Sequence, residues 1–476
     1  MDFQVTNTFL VDGHEIAVSA DPNHTVKSMR NALMNNKEFT IHPDDVKKHN
    51  LPGSNVKWSH FKKLVTFCHD RRLKVGAHLK MEYIEIGKYN KMRVGPAMHV
   101  LSRASGNALK WCHEFYPEEF PEEVLVTAFF ANEAGDWFDH IAGREMSLAY
   151  WQDRPEQNAR QDEKLMNFVH LYCRMLLHPS QDWGNVFKPS QRALVLGCVS
   201  IIWVKDYCLT VMLFKFFCPF KTLNDYIEQF HGHIRKIQSF PTCLQFQRNA
   251  RNVGLTHFMG KVKHGNYIGD DNVSWLVDIN DLQKIDEDED EDEVVLTDIV
   301  TLTAMRKFEP NDFAEKCSLA YLAGYVLKVT IKKKVGYCIK CEQYYTVKFE
   351  DDAQVVNSLI TFKDYTEGAL VRPSVKANEM FFKCETVFRS VFESLRQGTK
   401  LIDKLETLFV REIRENFVDA PSCHIELIFK RFAKIRMYFE GEFIDSHWQV
   451  SEINAAEIES SSHSSKSARA VTSKHL

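Results

Sequence analysis

Over the first forty residues the apolar positions change period. Short β-rich runs from Phe3 to Phe9 and from Glu15 to Ala20 flank Val11-Asp12-Gly13-His14, whose Asp-Gly pair predicts a hairpin turn. The second run ends at Asp21-Pro22. From His24 to Asn35, apolar residues at Val26, Met29, Ala32 and Leu33 share one helix face. The predicted unit is strand, carboxylate, helix. Between about Ile41 and Phe220 the period is helical, with helices predicted at Trp58–Arg71, Ala97–Glu114, Glu122–Ile141, Glu163–Leu177 and Ala193–Phe217, so this stretch reads as an all-α domain. Two further helices, Leu223–Gln238 and Thr242–Asn252, are separated by Pro241, and from about Leu296 helices recur around a cysteine pair without internal repeat. The expected class is α+β, mostly helical.

Composition narrows the picture. At 476 residues the chain has room for several domains. Its 44% hydrophobic and 26% charged residues are the balance of a globular protein. The most apolar region, Ala193 to Phe220, is interrupted by Lys205, Asp206 and Lys215, so no transmembrane helix is expected. Asp2, Asp12, His14 and Glu15 interrupt any signal-peptide core, which predicts an intracellular protein. Most of the twelve cysteines stand singly among apolar residues, as buried thiols do; only Cys338 and Cys341 have ligand spacing. The net charge of −4 owes its sign to eight consecutive acids, Asp286 to Glu293, a solvated linker or an acidic arm competing with DNA. The tail from Ser460 to Leu476 is low in complexity and expected to be disordered.

Three segments, in this order and separation, carry a resemblance. The first, FLVDGHEIAVSADPNHTVKSMRNAL, holds Asp21, Pro22, His24, Lys27, Arg30 and Asn31. The second, LNDYIEQFHGHIRKIQSFPTCLQFQRNAR, holds Asp225, Glu228, Phe230 and Arg235, then Pro241, Thr242, Gln245 and Phe246. The third is SLAYLAGYVLKVTIKKKVGYCIKC, with Cys338 and Cys341. Together they resemble P-element and THAP-type DNA transposases, over nearly the whole chain except the tail.

The resemblance implies an RNase H-like α/β domain split by a helical insertion. Its parts would be residues 1–40 and 221–275, with the insertion at 41–220, an acidic linker at 276–295, a mainly helical C-terminal region at 296–455 and the tail at 456–476. It implies DNA cleavage and strand transfer through Mg²⁺ or Mn²⁺, with Asp21 and Glu228 as catalytic metal ligands; two such ions need hard oxygen ligands on rigid elements. Read without the family, Asp21 is equally an N-cap before Pro22, and Glu228 a solvent-facing residue of an amphipathic helix. The family's further catalytic Asp belongs upstream of the segment with which this chain begins, and no Cys precedes Cys68 to form a THAP zinc domain. The expectation is an N-terminally truncated core with impaired cleavage.

The insertion resembles the family's GTP-binding domain, which implies nucleotide contacts at His78, Arg93, Val94, Ser102, Phe138, Asp139 and Asp225. Here His78 stands for a lysine, Gly135 for a polar residue, and no Walker-type phosphate loop occurs. A purely structural helical insert is the other reading. Cys338 and Cys341 could close a zinc site with His424 and either Cys423 or Cys384. In the family a Cys-x-x-His completes it, whereas here Cys423 directly precedes His424 and Pro421 holds the expected Cys position. A thiol pair in a turn is the alternative. The basic residues His233, Arg235, Lys236, Arg248, Arg251, Lys261 and Lys263 would meet DNA phosphates weakly and without sequence preference; the interleaved Phe230, Phe240 and Phe246 read as core. Self-association, nuclear residence and no membrane partner complete the expectation, and a domesticated, inactive DNA-binding or protein-interaction factor is its competitor.

Overall fold

The computed structural model describes residues 6–70, 75–76, 79–85, 91, 93–178, 182–183, 187–256, 312–334, 338–364, 368–395 and 400–440. The acidic run, the Ser-rich tail, His78, Lys261 and Lys263 lie outside them. The chain separates into two compact units, Met1–Leu64 with His78–Thr297, and Val65–Ala77 with Asp298–Leu476. Both are mostly helical, as the α+β expectation requires.

The first unit opens with β1 (Thr8–Val11) and β2 (His14–Ala17), an antiparallel hairpin in register Phe9↔Ile16. Asp12 and Gly13 both take positive φ, the geometry an Asp-Gly hairpin turn requires. Helix α1 (Pro22–Asn36) follows directly, with Pro22 in its first turn and Val26, Met29 and Leu33 fully buried. After it, β3 (Glu38–Thr40) pairs with β4 (Asn55–Lys57) around the short α2 (Pro43–Lys48), and α3 (Trp58–Asp70) begins where β4 ends.

The helix predicted over Ala97–Glu114 is two helices, α4 (Val94–Val100) and α5 (Arg103–Phe115). Ser102 breaks it by capping: its backbone is extended and its hydroxyl accepts the N–H of Ser105 at 3.2 Å, a bond that replaces a helical one. Helix α6 (Val124–Ala142) lies so close to α5 that two glycines have no room for a side chain. A Cβ on Gly106 would stand 2.6 Å from the Ala128 carbonyl, and one on Gly135 would stand 2.8 Å from the Arg103 nitrogen. Around α6 an aromatic core forms, in which Phe39 meets Phe130 edge-on at 5.9 Å and Trp137 stacks on Phe168 at 5.5 Å.

Helices α7 (Pro155–Arg174) and α8 (Pro189–Asp206) pack together, and α8 also meets α1 and β2. Helix α8 runs on into a π-turn, Tyr207–Val211, giving a stretch of 23 residues that is long and apolar enough to cross a membrane, contrary to the expectation from its charges. One face of it is packed: Leu194, Val195, Cys198 and Ile201 are buried, and Lys205 is held inside by Asp162 at 2.6 Å. The predicted helix end at Phe217 is also corrected. Leu213 takes a positive φ, and Phe216–Phe217 becomes strand β6, paired with β5 (Tyr150–Trp151). The described residues between 41 and 220 are thus mainly helical with small β clamps.

Helices α9 (Asp225–Ile237) and α10 (Cys243–Thr256) close the described part of this unit. Among the described residues every sheet has two strands, and β1 and β2 pair only with each other. The RNase H-like sheet expected of residues 1–40 and 221–275 is therefore not assembled there: the second stretch supplies helices and no strand as far as residue 256.

The second unit contains α11 (Phe313–Leu327), α12 (Ile339–Tyr345), the pair β7 (Thr346–Val347) and β8 (Arg372–Pro373), α13 (Ser358–Lys363), α14 (Val375–Leu395), α15 (Leu401–Asn416) and α16 over residues 425–440. Their shared core includes Leu319, Tyr345, Phe381, Phe388, Phe409, Phe429 and Phe432. A charged network lies inside it. Glu385 and Arg436, neither exposed at all, form a two-pronged pair at 2.6 and 2.9 Å; Arg389 joins Glu385 at 2.6 Å and Glu315 at 3.4 Å, and Glu440 lies 3.6 Å from Arg436.

Candidate functional site

Asp21 does what an aspartate before Pro22 should do. Its carboxylate accepts the Asn23 N–H at 3.2 Å and so caps α1. The other oxygen meets His24 Nδ1 at 2.6 Å, with only 5% of the Asp21 side chain exposed against 53% of His24. Both residues line a cavity of about 520 Å³, whose other walls include Thr25, Ser28, His178, Lys188 and Ser190. Glu228 sits half-buried in the first turns of α9. Both carboxylates act electrostatically on Lys27, a buried residue of α1, Asp21 the more strongly. Burial pushes the Lys27 pKa down, and the two acids oppose that shift. Sequence reasoning placed Lys27 and His24 in a motif without giving them roles; their spacing from Asp21 on one helix was the available signal.

These residues do not by themselves fit a two-metal centre. Asp21 already serves a backbone donor and an imidazole, while Lys27 contributes a positive charge where divalent ions would need anionic oxygens.

The positions implied for GTP gather only in part. Gly135 brings Ser102 and Arg103 against α6, and Arg103 faces Asp139 electrostatically while pairing with Asp136. Asp139 is exposed by surface area, yet its pKa is raised, first by desolvation, with Arg103 opposing; the carboxylate edges on a crowded helix junction. The Ser102 hydroxyl is engaged by Ser105 and by the His99 carbonyl. Phe138 is 2% exposed and faces Trp137, so its ring belongs to the core and cannot stack on a base from there. Val94 is buried in the first turn of α4, and Arg93 is exposed just before it. Asp225 opens α9. Asp139 could accept the paired ring and exocyclic N–H groups of a guanine, and Arg93 is an exposed cation at the start of α4.

In the second unit four ligand atoms converge. Cys338 caps α12 and Cys341 lies one turn on, while Cys423 and His424 come from the turn before α16. The Cys341 sulfur is 3.2 Å from the Cys423 sulfur and 3.2 Å from His424 Nδ1, and Cys338 is 3.8 Å from Cys423. All four ligand atoms lie within 4.8 Å of one another. A tetrahedral zinc ion with Zn–S bonds near 2.3 Å separates its sulfurs by about 3.8 Å, so the set fits. Cys384 is fully buried elsewhere in the core and stands outside the group, which leaves Cys423 as the fourth member. The Tyr345 hydroxyl donates to the Pro421 carbonyl at 3.2 Å and ties that turn to α12. Backbone donation from Cys341 lowers the Cys338 thiol pKa, whereas burial raises that of Cys341.

Of the basic residues after Glu228, Arg235, Lys236, Arg248 and Arg251 are exposed, and His233 is half-buried. Phe230 and Phe246 are half-buried, at the margin of the core rather than in it. Phe240, also expected to be core, is 92% exposed.

Comparison with known proteins identifies a matching family over part of the first unit, beginning inside α1 rather than at the expected residue 41. Residues 23–153 match the family described as TNP-like, GTP-binding insertion domain. The Drosophila P element transposase in its strand transfer complex is similar in structure at a TM-score of 0.43 and 19% identity, covering 52% of this chain and 54% of that one. The chain thus spans about half the length of that transposase chain. No curated protein matches.

Proposed function

We propose that this chain is a nuclear DNA-binding protein of the P-element transposase kind, carrying a helical insertion and a structural zinc site, and that its described carboxylates do not cleave DNA unaided. The observation that carries the reading is the match of residues 23–153 to the GTP-binding insertion family, on a chain whose flanking segments hold Asp21 and Glu228 beside one buried lysine. DNA contact is assigned to the exposed cations of α9 and α10, which supply positive density without base readout. Cys338, Cys341, Cys423 and His424 would hold zinc, which when bound ties α12 to the start of α16. The test is a supercoiled plasmid with the purified chain in Mg²⁺ or Mn²⁺. Binding that weakens steeply with salt and no cleavage are expected. Cleavage that Asp21→Ala abolishes would show that the carboxylates work as a metal site after all.

The family match also favours a second reading, guanine nucleotide held by Asp139 and Arg93. GTP at ten times its Kd should then stabilise the chain by about 1.4 kcal/mol. Asp139→Asn should remove the shift in melting temperature, and ATP, which lacks the paired donors, should give none. A chain that GTP leaves unmoved has only the helical scaffold of that domain.

A further inference from the structure

We propose that the turn between α9 and α10 is a DNA wedge, in which Phe240 enters the duplex at an opened base step while Arg235, Lys236, Arg248 and Arg251 grip the flanking phosphates. The inference rests on the DNA-binding reading above and adds the form of DNA recognised. Phe240 has the greatest exposure of any large hydrophobic side chain among the described residues, and Ile237 and Leu244 beside it are more than half exposed. An apolar tip of this kind gains nothing from water and needs an apolar surface to enter.

Its surroundings specify which surface. From Gln229 to Thr256 the sequence contains no acidic residue, although the whole chain is net negative. The four cations are all exposed; Arg235 and Lys236 occupy the last turn of α9, while Arg248 and Arg251 share one face of α10. Positive charge on both sides of an exposed ring complements a polyanion with apolar bases inside, and apolar wedges flanked by cations are a recurring way of unstacking a base step.

The turn is also stiff enough to push. Pro241 confines Phe240 to extended conformations. Thr242 and Gln245 form a reciprocal capping box at the start of α10, the Thr242 N–H donating to the Gln245 side chain at 2.8 Å and the Gln245 N–H to the Thr242 hydroxyl at 3.4 Å. Ile234, Asn249 and Val253 are buried and anchor the two helices, while His231 meets the Phe246 ring at 6.0 Å. The ring is presented by a fixed scaffold.

The experiment uses the full chain and low-salt duplexes carrying 2-aminopurine opposite or beside an unpaired base. Wild type should raise the 2-aminopurine fluorescence on binding. Phe240→Ala should abolish that rise and weaken binding to the opened duplex roughly tenfold, the loss of one stacked base, while Phe240→Trp retains both. Arg248→Ala with Arg251→Ala should instead weaken intact and opened duplexes alike and reduce the salt slope by about two. The wedge is refuted by binding without a fluorescence rise, by a rise that survives Phe240→Ala, or by a Phe240→Ala variant that changes oligomeric state and leaves DNA unaffected. Failure of wild type to bind any duplex at low salt removes the DNA reading itself, and the wedge with it.

Discussion

If the proposed site holds zinc, chelation or replacement of Cys341 with serine should melt the packing of α12 against the turn at 421–424 and bring down the stability of the second unit. Structural zinc sites of this kind carry on the order of 10 kcal/mol of apparent binding free energy, comparable with the whole stability of a domain. Cys341 is fully buried, and its sulfur stands in contact with two of the other three ligands, so its loss leaves only three protein ligands for the ion. Stoichiometric zinc in the purified protein and a large fall in melting temperature with chelator are the expected readings. A metal-free protein whose unfolding is indifferent to chelator would leave the four residues as a thiol cluster only.

The second large effect lies in the buried charge network. Glu385→Ala should destabilise the second unit by about 3–5 kcal/mol, because it leaves the Arg436 and Arg389 guanidiniums facing each other in the core. Replacing Glu385 and Arg436 together by methionine should cost much less, since the desolvation of both charges disappears with them. Denaturant unfolding of the single and double variants separates the two outcomes, and equal losses would mean that the pair matters only as volume. The same network sets a pH dependence. Burial, opposed by Arg389, pushes Glu315 up from 4.5 to about 7. A carboxyl whose folded pKa is raised holds its proton longer in the native state, so its contribution falls as pH rises from about 4.5 through 7. Glu315→Gln should flatten that slope.

Local signals in the sequence translated well. The Asp-Gly hairpin, the Asp21 cap and the helix of Val26, Met29 and Leu33 depend on neighbours within a few residues, and each was legible. Ser102 was not, because a serine inside an apolar period looks like any polar position until its hydroxyl is seen bonding Ser105. The end of α8 was missed for a related reason: Phe216 and Phe217 continue the apolar pattern but find Tyr150 and Trp151, a partner more than sixty positions away. Choosing Cys423 over Cys384 likewise depended on which thiol the tertiary fold brings to Cys341. Phe240 was read as core because aromatic residues usually are; only tertiary exposure shows a ring that the helices leave outside. The motif Pro241-Thr242-x-x-Gln245 proved to be a helix-starting device, so its likeness to a family string reflects local folding as much as chemistry.

The two halves of the cysteine–histidine cluster have a consequence in time. Cys341 and Cys423 are separated by 82 positions, so they meet only after α13, α14 and α15 have been laid down between them. Contacts of such long range form late, since the loop must be closed before they can contribute. A metal held by the proposed site would therefore act late, as a latch that lengthens the lifetime of the finished fold rather than a guide to the early search.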